Sequence, residues 1–294
     1  MAAAVEVMEP VDVPEPAEPA EVPDLKPCEH QAGGHFASGK EAATFVDGSG
    51  KFYKAFQDNV RGAREAALYE LVFGESDETV RAEDMAGLRE FLPKYYGTIV
   101  TADKKLLALE DTCASYTKPC VLDAKMGFST IYEWADEKYK NKNKDKDQIT
   151  TQASLGYRVT GFKSWQLDKG EYFVADRLYG KALTKDTMGA ALAKFASNGV
   201  LTPADIYGGL HGAAAKVRSL ERWFEAQRSL VFYAASVLVI YEGTATRPED
   251  ANVQIRWIDF AHTFPAKGQR DDNVLPGLKS LAGLMERVAA GEAQ

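Results

Sequence analysis

The longest nearly unbroken apolar run in the sequence, "VFYAASVLVIY" at 231–241, limits what this chain can form. Its eleven residues are too few for a bilayer-spanning helix, which needs about 20 apolar residues. A second apolar segment, "VQIRWIDFAH", follows after the polar loop "TATRPED". Two apolar segments joined by a polar loop are typical of a β-hairpin, so we predict paired strands within a buried sheet.

Composition narrows the class of protein. The chain has 294 residues, 45% hydrophobic and 27% charged, which is enough to bury one large domain or two coupled domains. Its formal charge of -8 argues against general nucleic-acid binding but permits a local basic patch for an anionic ligand. The cysteines form no CxxC pair, so neither a disulfide framework nor a zinc site is indicated: Cys28, Cys113 and Cys120.

Residues 1–27 are predicted to form a disordered acidic tail. The stretch before Lys26 contains seven acidic residues, five prolines and no Lys or Arg. It offers too few apolar groups to offset the entropy cost of ordering the chain. It also lacks a basic region followed by an apolar core, so we expect no secretory signal and an intracellular protein.

Residues 28–112 are predicted to form an N-terminal lobe made of a sheet and a helix. The segment "TFVDGSGKFYKAF" alternates apolar and polar residues around a glycine-containing turn, which predicts a β-hairpin carrying Lys54 on its second strand. The segment "RGAREAALYELVF" predicts a helix, and "KKLLALED" predicts a buried strand that ends at two acids.

Residues 113–294 are predicted to form a C-terminal lobe. The segment "AAAKVRSLERWFEAQRSL" has the clearest helical periodicity in the chain, and "LKSLAGLMERVAA" predicts a final helix. A third feature, the lysine-rich run "ADEKYKNKNKDKD", lies in a polar insert near 129–150.

Several polar residues lie in or beside apolar strands. Asp123 and Lys125, in "PCVLDAKMGF", would face the same side of a strand, either as a salt bridge or as a pair that handles phosphate. Asp259 ends the strand "IRWIDF", where an acid is costly unless it is paired or binds a metal. Considered alone, a salt-bridged strand end is the simpler interpretation.

The lysine run indicates a polyanionic ligand. In a helix, Lys138, Lys142 and Lys146 would lie on one face and repel one another. In an acidic protein, such a cluster favours a ligand that offsets this repulsion, although a solvated charged face is a common alternative. His262, three residues after Asp259, could donate to the same ligand or simply be a satisfied histidine.

The order of these features resembles the inositol polyphosphate kinases over residues 28–288. The most specific match is "PxxxDxKxG", here Pro119, Asp123, Lys125 and Gly127, followed by "IDF" at 258–260. Further matching stretches are "LPKYYG", "SLGYRVTGFK", "YGKALT" and "IDFAHT". The resemblance implies an α+β fold with two protein-kinase-like lobes and a small inositol-binding insert.

The resemblance also assigns roles to residues, with ATP and Mg²⁺ as cofactors. Lys54 would contact the ATP phosphates, oriented by Glu65, while the backbone near Glu110 and Thr112 would hold adenine and Asp123 the ribose. Lys125 would contact both the transferred phosphoryl group and the inositol. The remaining assignments are Asp259 and Ser236 for the metal, and Lys142, Lys146, Arg177 and His262 for the substrate phosphates.

Two segments depart from the family pattern. The family's serine pair followed by two leucines is Ala235-Ser236-Val237-Leu238 here, so only the second serine is present. The glycine-rich signal is reduced to "AGGH" at 32–35, and we assign it no phosphate contact.

Within the family, the compact chain is most similar to the short inositol polyphosphate multikinases of plants and algae. These convert inositol 1,4,5-trisphosphate and tetrakisphosphates to pentakisphosphate, chiefly at the 3- and 6-hydroxyls. An inositol hexakisphosphate kinase and a non-catalytic inositol-phosphate-binding scaffold are the alternatives. For the multikinase we expect an inositol polyphosphate substrate, no nucleic-acid partner, no membrane span, a monomer, and a cytoplasmic or nuclear location.

Overall fold

The computed structural model describes residues 24–29, 43–57, 59–75, 77–101 and 104–292. Most of the predicted tail and the "AGGH" segment lie outside these residues. Lys26–Pro27, which we placed in the tail, forms a short strand, so regular structure begins before residue 28. None of the helices described for these ranges is long and apolar enough to cross a bilayer.

Within the described ranges, five strands form the first sheet: β1 (Lys26–Pro27), β2 (Thr44–Val46), β3 (Lys51–Ala55), β4 (Tyr95–Val100) and β5 (Lys105–Glu110). Their order is β1-β2-β3-β5-β4, and all pairs are antiparallel. The predicted hairpin is confirmed as β2 and β3, whose turn is fixed by the Asp47 carboxylate, which accepts hydrogen bonds from Ser49 and Tyr53. Two helices accompany this sheet, α1 (Asn59–Phe73) and α2 (Ala82–Arg89).

The second part of the chain supplies seven strands: β6 (Pro119–Met126), β7 (Tyr157–Gln166), β8 (Glu171–Ala175), β9 (Leu230–Phe232), β10 (Ser236–Glu242), β11 (Gln254–Ile258) and β12 (Thr263–Pro265). Five of them form an antiparallel sheet in the order β11-β10-β6-β7-β8, while β9 and β12 pair separately. The strand that carries Asp123 and Lys125 is therefore central in its sheet.

Helices cover this second sheet: α3 (Glu137–Ile149), α4 (Gln152–Leu155), α5 (Arg177–Ala182), α6 (Lys185–Phe195), α7 (Pro203–Tyr207), α8 (Ala213–Ala226) and α9 (Leu275–Ala289). The two helices predicted with the clearest apolar periodicity, α8 and α9, are confirmed and pack against each other. The lysine-rich run, whose lysines we considered only for the case of a helix, forms the helix α3, which begins where the Asp136 carboxylate accepts the Tyr139 N–H.

The apolar run at 231–241 is not one strand, so this part of the hairpin prediction was wrong. It divides between β9 and β10 because the backbone turns at Ala234, which has φ +57°. The predicted pairing of β10 with β11 is confirmed, with Ser236 opposite Ile258. Periodicity did not reveal this break, because every residue around it is apolar or small.

One hydrophobic core extends through both parts of the chain. It joins α1 and α2 to the second sheet and its helices, and Tyr69 meets Phe260 edge to face with 5.4 Å between ring centroids. Polar contacts cross the same boundary: the Trp257 N–H donates to Phe91 O over 2.9 Å, and the Trp223 Nε1–H donates to Asp84 O over 2.9 Å. The two sheets are therefore held together by a shared core in addition to the chain between them.

Candidate active site

A cleft of about 580 Å³ lies between the two sheets. Its lining includes seven of the residues singled out in the sequence: Lys54, Glu65, Glu110, Thr112, Asp123, Lys142 and Asp259. Apolar residues complete the wall at one end, where Leu109, Val121, Leu238 and Ile258 face the cleft. The cleft therefore combines an apolar slot with a charged end, as expected for a ligand with a flat ring and anionic groups.

Lys54 lies at the charged end and forms two ion pairs. Its Nζ is 2.8 Å from Glu65 Oε1 on α1 and 2.6 Å from Asp259 Oδ1 after β11. Burial acts to lower the pKa of Lys54, but the charges of Asp259 and Glu65 outweigh burial and raise that pKa above its ordinary value. The lysine is therefore a fixed positive charge at the boundary between the two sheets.

The residues around Lys125 are brought together by strand register. Ser236 on β10 lies opposite both Lys125 on β6 and Ile258 on β11, and Asp259 follows directly. Asp123, two residues before Lys125, lies opposite Leu238. Because residues two apart on a strand share a face, these polar groups gather at one end of three adjacent strands.

Backbone geometry adds to this arrangement. Asp259 has φ +71°, a left-handed conformation that is uncommon for a residue other than glycine. Lys125 Nζ donates to the Ala234 carbonyl, at the turn that divides the apolar run. Both features lie where β10 and β11 meet the cleft.

Charge and burial set the protonation states of the three central groups. Burial acts to raise the pKa of Asp259, but Lys54 and Lys125 outweigh it and hold that pKa at about 2. Burial raises the pKa of Asp123, although Lys125 partly opposes the rise. Burial lowers the pKa of Lys125, although Asp259 and Asp123 oppose this change. Asp259 is therefore ionised throughout the physiological range of pH.

Two oxygen atoms in this group fit a hard cation such as Mg²⁺. Ser236 Oγ and Asp123 Oδ1 are buried and have no hydrogen-bond partner among the described residues. Asp259 supplies an ionised carboxylate next to them. No cluster of three or more His, Cys, Asp or Glu side chains suited to a metal occurs in the described part of the chain. Mg²⁺ usually takes one or two carboxylates together with substrate phosphates and water, so the Asp259 carboxylate and the Ser236 hydroxyl are suitable protein ligands for it.

The insert helix α3 presents lysines to the cleft. Lys142 lines it, and Lys146 contacts the Asn143 side chain. Burial lowers the pKa of Lys146 to about 8, assisted by the positive charges of Arg158, Lys125 and Lys142. The charges of Lys142, Lys146 and Arg158 therefore act together with that of Lys125 in the DxK motif (Asp123 to Lys125), and we call these four residues the cationic cluster.

Two further predicted residues lie near this cluster. The ring of His262 packs between Tyr132 and Tyr139, with centroid distances of 5.3 Å and 5.2 Å, so it abuts the first turn of α3. Arg177 begins α5 with an exposed side chain, and its charge contributes to lowering the pKa of Arg158. Arg177 therefore belongs to the outer part of the basic region.

Arg158 is a buried cation that the sequence interpretation missed. Its Nη1 lies 2.8 Å from Gln152 Oε1 and 3.5 Å from Asp147 Oδ1. Burial lowers its pKa, with Asp147 and Asp123 opposing the change. Arg158 lies inside the matching stretch "SLGYRVTGFK". Nothing in the local sequence, however, predicts that an arginine at this position of a strand would lie near the lysines. Arg61 on α1 also lines the cleft and was not predicted.

Comparison with known proteins supports the resemblance. The family model "Inositol polyphosphate kinase" matches residues 106–286. Inositol polyphosphate multikinase alpha of Arabidopsis thaliana is 32% identical over 280 residues, which cover 90% of this chain and 96% of that protein. Another relative, human inositol polyphosphate multikinase, is 30% identical over 250 residues, covering 84% of this chain and 57% of that protein.

Solved structures agree. One inositol phosphate multikinase superposes with a TM-score of 0.66 at 32% identity, covering 76% of this chain and 99% of its own. The S. cerevisiae enzyme, solved in complex with ADP and Mn²⁺, has a TM-score of 0.62 at 22% identity, covers 76% of this chain and 95% of its own, and shares the fold. With an α+β architecture, a matching family model and a plant relative aligned over 96% of its length, the chain belongs to the inositol polyphosphate kinase family.

Proposed function

We propose that this protein is an ATP- and Mg²⁺-dependent inositol polyphosphate multikinase, which phosphorylates inositol 1,4,5-trisphosphate and tetrakisphosphates to pentakisphosphate. One observation carries the proposal: a single cleft is lined by apolar residues, by the charged groups Lys54, Asp123 and Asp259, and by Lys142 of the lysine-rich helix. Similarity to plant multikinases over 90% of the chain favours this activity over that of a hexakisphosphate kinase.

The nucleotide would occupy the end of the cleft formed by β3 and β5. The apolar slot and the backbone near Glu110 and Thr112 suit the adenine ring, and the buried Asp123 carboxylate suits the ribose hydroxyls. Lys54, held by Glu65 and Asp259, would contact the phosphates. Its two ion pairs fix its direction before ATP binds, which reduces the ordering cost of binding.

Asp259, assisted by Ser236, would hold Mg²⁺. The bound ion would neutralise charge on the phosphates, which is the main requirement of phosphoryl transfer. Lys125 lies opposite Ser236 on the neighbouring strand, and its charge acts on Lys146 of the lysine helix, so it would contact the transferred phosphoryl group and the acceptor. Phosphoryl transfer depends largely on such positioning and needs no strong general base.

The inositol polyphosphate would bind against the cationic cluster. Lys142 and Lys146 on α3 are the primary contacts, and buried Arg158 adds a planar donor that can contact phosphate with two N–H groups. Arg177 and His262 would contact more peripheral phosphates. Several separate cations suit a substrate whose phosphates point in different directions.

The test is incubation of the purified protein with Mg²⁺-ATP and, in separate reactions, inositol trisphosphate, tetrakisphosphates and hexakisphosphate, with anion-exchange separation of products. Stepwise formation of pentakisphosphate is expected. Asp259→Asn should abolish it, whereas Asp250→Asn, an exposed residue paired with Arg247, should not. Pyrophosphates formed from hexakisphosphate alone would indicate the hexakisphosphate kinase activity, and binding without turnover would indicate a scaffold.

The proposal includes a monomer in the cytoplasm or nucleus. Light scattering during size-exclusion chromatography would test the first part, and a fluorescent fusion expressed in the source cells would test the second. A mass of twice 32.2 kDa would contradict the monomer.

A further inference from the structure

Asn273, just before α9, is hydrogen-bonded to the turn that follows β6. This strand carries Asp123 and Lys125, and we call it the DxK strand. Asn273 Oδ1 accepts the Ser129 N–H over 2.9 Å, and its Nδ2 donates to Ser129 O over 3.0 Å. Its backbone carbonyl accepts the Phe128 N–H over 3.2 Å. One residue near the C-terminus therefore holds two consecutive residues of this turn, although about 144 positions separate them.

Asn273 is itself held by Asp271, whose carboxylate is buried. The Asp271 carboxylate accepts the N–H groups of Asn273, Val274 and Phe232 over 2.8–3.0 Å. Only 1% of the residue is exposed. Because three N–H groups donate to the buried Asp271 carboxylate, they hold the backbone at Asn273 in place.

Gly127 permits the close approach of this unit. It has φ +101°, and a Cβ atom at this position would lie 2.6 Å from Asn273 Nδ2. Any larger residue would therefore clash with the asparagine as well as strain the backbone. Close packing against Asn273 therefore explains why glycine is needed at position 127, the last position of the "PxxxDxKxG" match.

The other side of the turn is attached to the insert. Gln152 Nε2 donates to the carbonyls of Gly127 and Lys125. Thr130 donates from its N–H and its hydroxyl to the Asp147 carboxylate, over 2.7 Å and 2.9 Å. Asp147 belongs to the last turn of α3, next to Lys146. The segment from Gly127 to Thr130 therefore connects the DxK strand to the lysine helix.

We propose that Asp271 and Asn273 are positioning residues that set Lys125 relative to the insert lysines, and so determine affinity for the inositol phosphate much more strongly than affinity for ATP. This inference rests on the proposed function. Without the hydrogen bonds of Asn273 the turn could move. Lys125 and Lys146 would then no longer be held at a fixed position relative to each other. A substrate that needs both lysines would then bind less tightly.

The nucleotide end should be affected much less. Lys54, Glu110 and Thr112 belong to the first sheet and the segment that follows it, and within the described part of the chain the hydrogen bonds of Asn273 go elsewhere. ATP would therefore lose at most the contact of its terminal phosphate with Lys125, whereas the inositol phosphate would lose the alignment of Lys125 with the insert lysines.

The experiment compares Asn273→Ala with Asp272→Asn, a neighbour that is exposed and paired with Arg270. Dissociation constants for inositol 1,4,5-trisphosphate and for ATP are measured by calorimetry, followed by KM and kcat for each substrate. For Asn273→Ala we expect inositol phosphate affinity and kcat/KM to fall about 10- to 100-fold, with ATP affinity within about twofold of wild type. Asp272→Asn should match wild type.

A purely structural role would reduce the amount of folded enzyme and leave both dissociation constants and KM unchanged, which would overturn the inference. If Asn273→Ala does not fold, Asn273→Asp provides the same comparison. It keeps the size and the acceptor for Ser129 but turns a carboxylate oxygen toward Ser129 O and Phe232 O. If the wild type turns over its substrates and the Asn273 variants have the same dissociation constants and KM as the wild type, this inference alone is overturned. If the wild type shows no turnover, the proposed function is overturned.

Discussion

Lys54 Nζ lies 2.6 Å from Asp259 Oδ1, joining a residue of β3 in the first sheet to a residue 205 positions later that directly follows β11 of the second sheet. Glu65 Oε1 is 2.8 Å from the same nitrogen. The Lys54 ammonium group thus forms ion pairs with Glu65 on α1 and with Asp259 just after the end of β11. This relationship places the charge that would meet ATP phosphates directly beside the residue that would hold the metal.

Lys54→Met should weaken ATP binding. The change removes the cation and leaves two carboxylates facing the triphosphate, so we expect the dissociation constant for ATP to rise about 10- to 100-fold, as for loss of a charge-assisted hydrogen bond. Inositol phosphate affinity should stay within about twofold. Lys51→Met is the matched control, since Lys51 lies on the same strand and contacts the Tyr96 ring. Calorimetric titration measures both, and equal losses in the two variants would contradict this role.

Ser236→Ala should separate stability from activity. The buried Ser236 hydroxyl has no hydrogen-bond partner among the described residues, so its removal should leave the free energy of unfolding unchanged or raise it by about 1 kcal/mol. If the hydroxyl assists the metal, the Mg²⁺ concentration for half-maximal activity should rise about 10-fold.

Thr263→Val provides the stability control for this experiment. Its hydroxyl is also buried without a hydrogen-bond partner, but it lies on β12. Denaturant unfolding and Mg²⁺ titration of both variants complete the test. An unchanged Mg²⁺ requirement in Ser236→Ala would remove Ser236 from the metal site.

Activity should fall above pH 8 through Lys146. Burial lowers the pKa of this lysine to about 8, so in the free enzyme it is charged below that pH and becomes neutral above it. Loss of one charge near the substrate phosphates should lower kcat/KM for inositol trisphosphate about 10-fold between pH 7 and 9. Lys146→Arg keeps its charge throughout this range, so its profile should stay flat. A wild-type profile that stays flat as well would exclude this titration.

Gly87→Ala should destabilise the packing between α2 and α8. A Cβ atom at Gly87 would lie 2.7 Å from Trp223 Cδ1, and Trp223 is fixed by its bond to Asp84 O. We expect a loss of about 1–3 kcal/mol in the free energy of unfolding. Gly283→Ala is the control in α9, where the nearest atoms lie at 3.7 Å, and it should stabilise by about 0.5–1 kcal/mol. Urea unfolding measures both, and equal effects would contradict the packing argument.

Local patterns in the sequence predicted most of the elements around the site. Alternation of apolar and polar residues predicted the hairpin that carries Lys54, and helical spacing predicted α8 and α9. The lysine run indicated a polyanionic ligand, and the helix that would place Lys142 and Lys146 on one face is present as α3. Such patterns are visible because a strand repeats every two residues and a helix every 3.6. The order of the motifs predicted the family.

Other features were decided by tertiary structure. The break in the apolar run at Ala234, the burial of Arg158 near Lys146, and the junction of Asp271 and Asn273 with the DxK turn all depend on contacts between distant segments. No local period encodes such contacts, because they arise when a shared core buries polar groups that must then find partners. The sequence by itself determined the hairpin that carries Lys54, the helices α1, α8 and α9, and the family to which the chain belongs. The folded chain alone determined which charges meet, because burial and strand register bring residues more than 100 positions apart within hydrogen-bond distance.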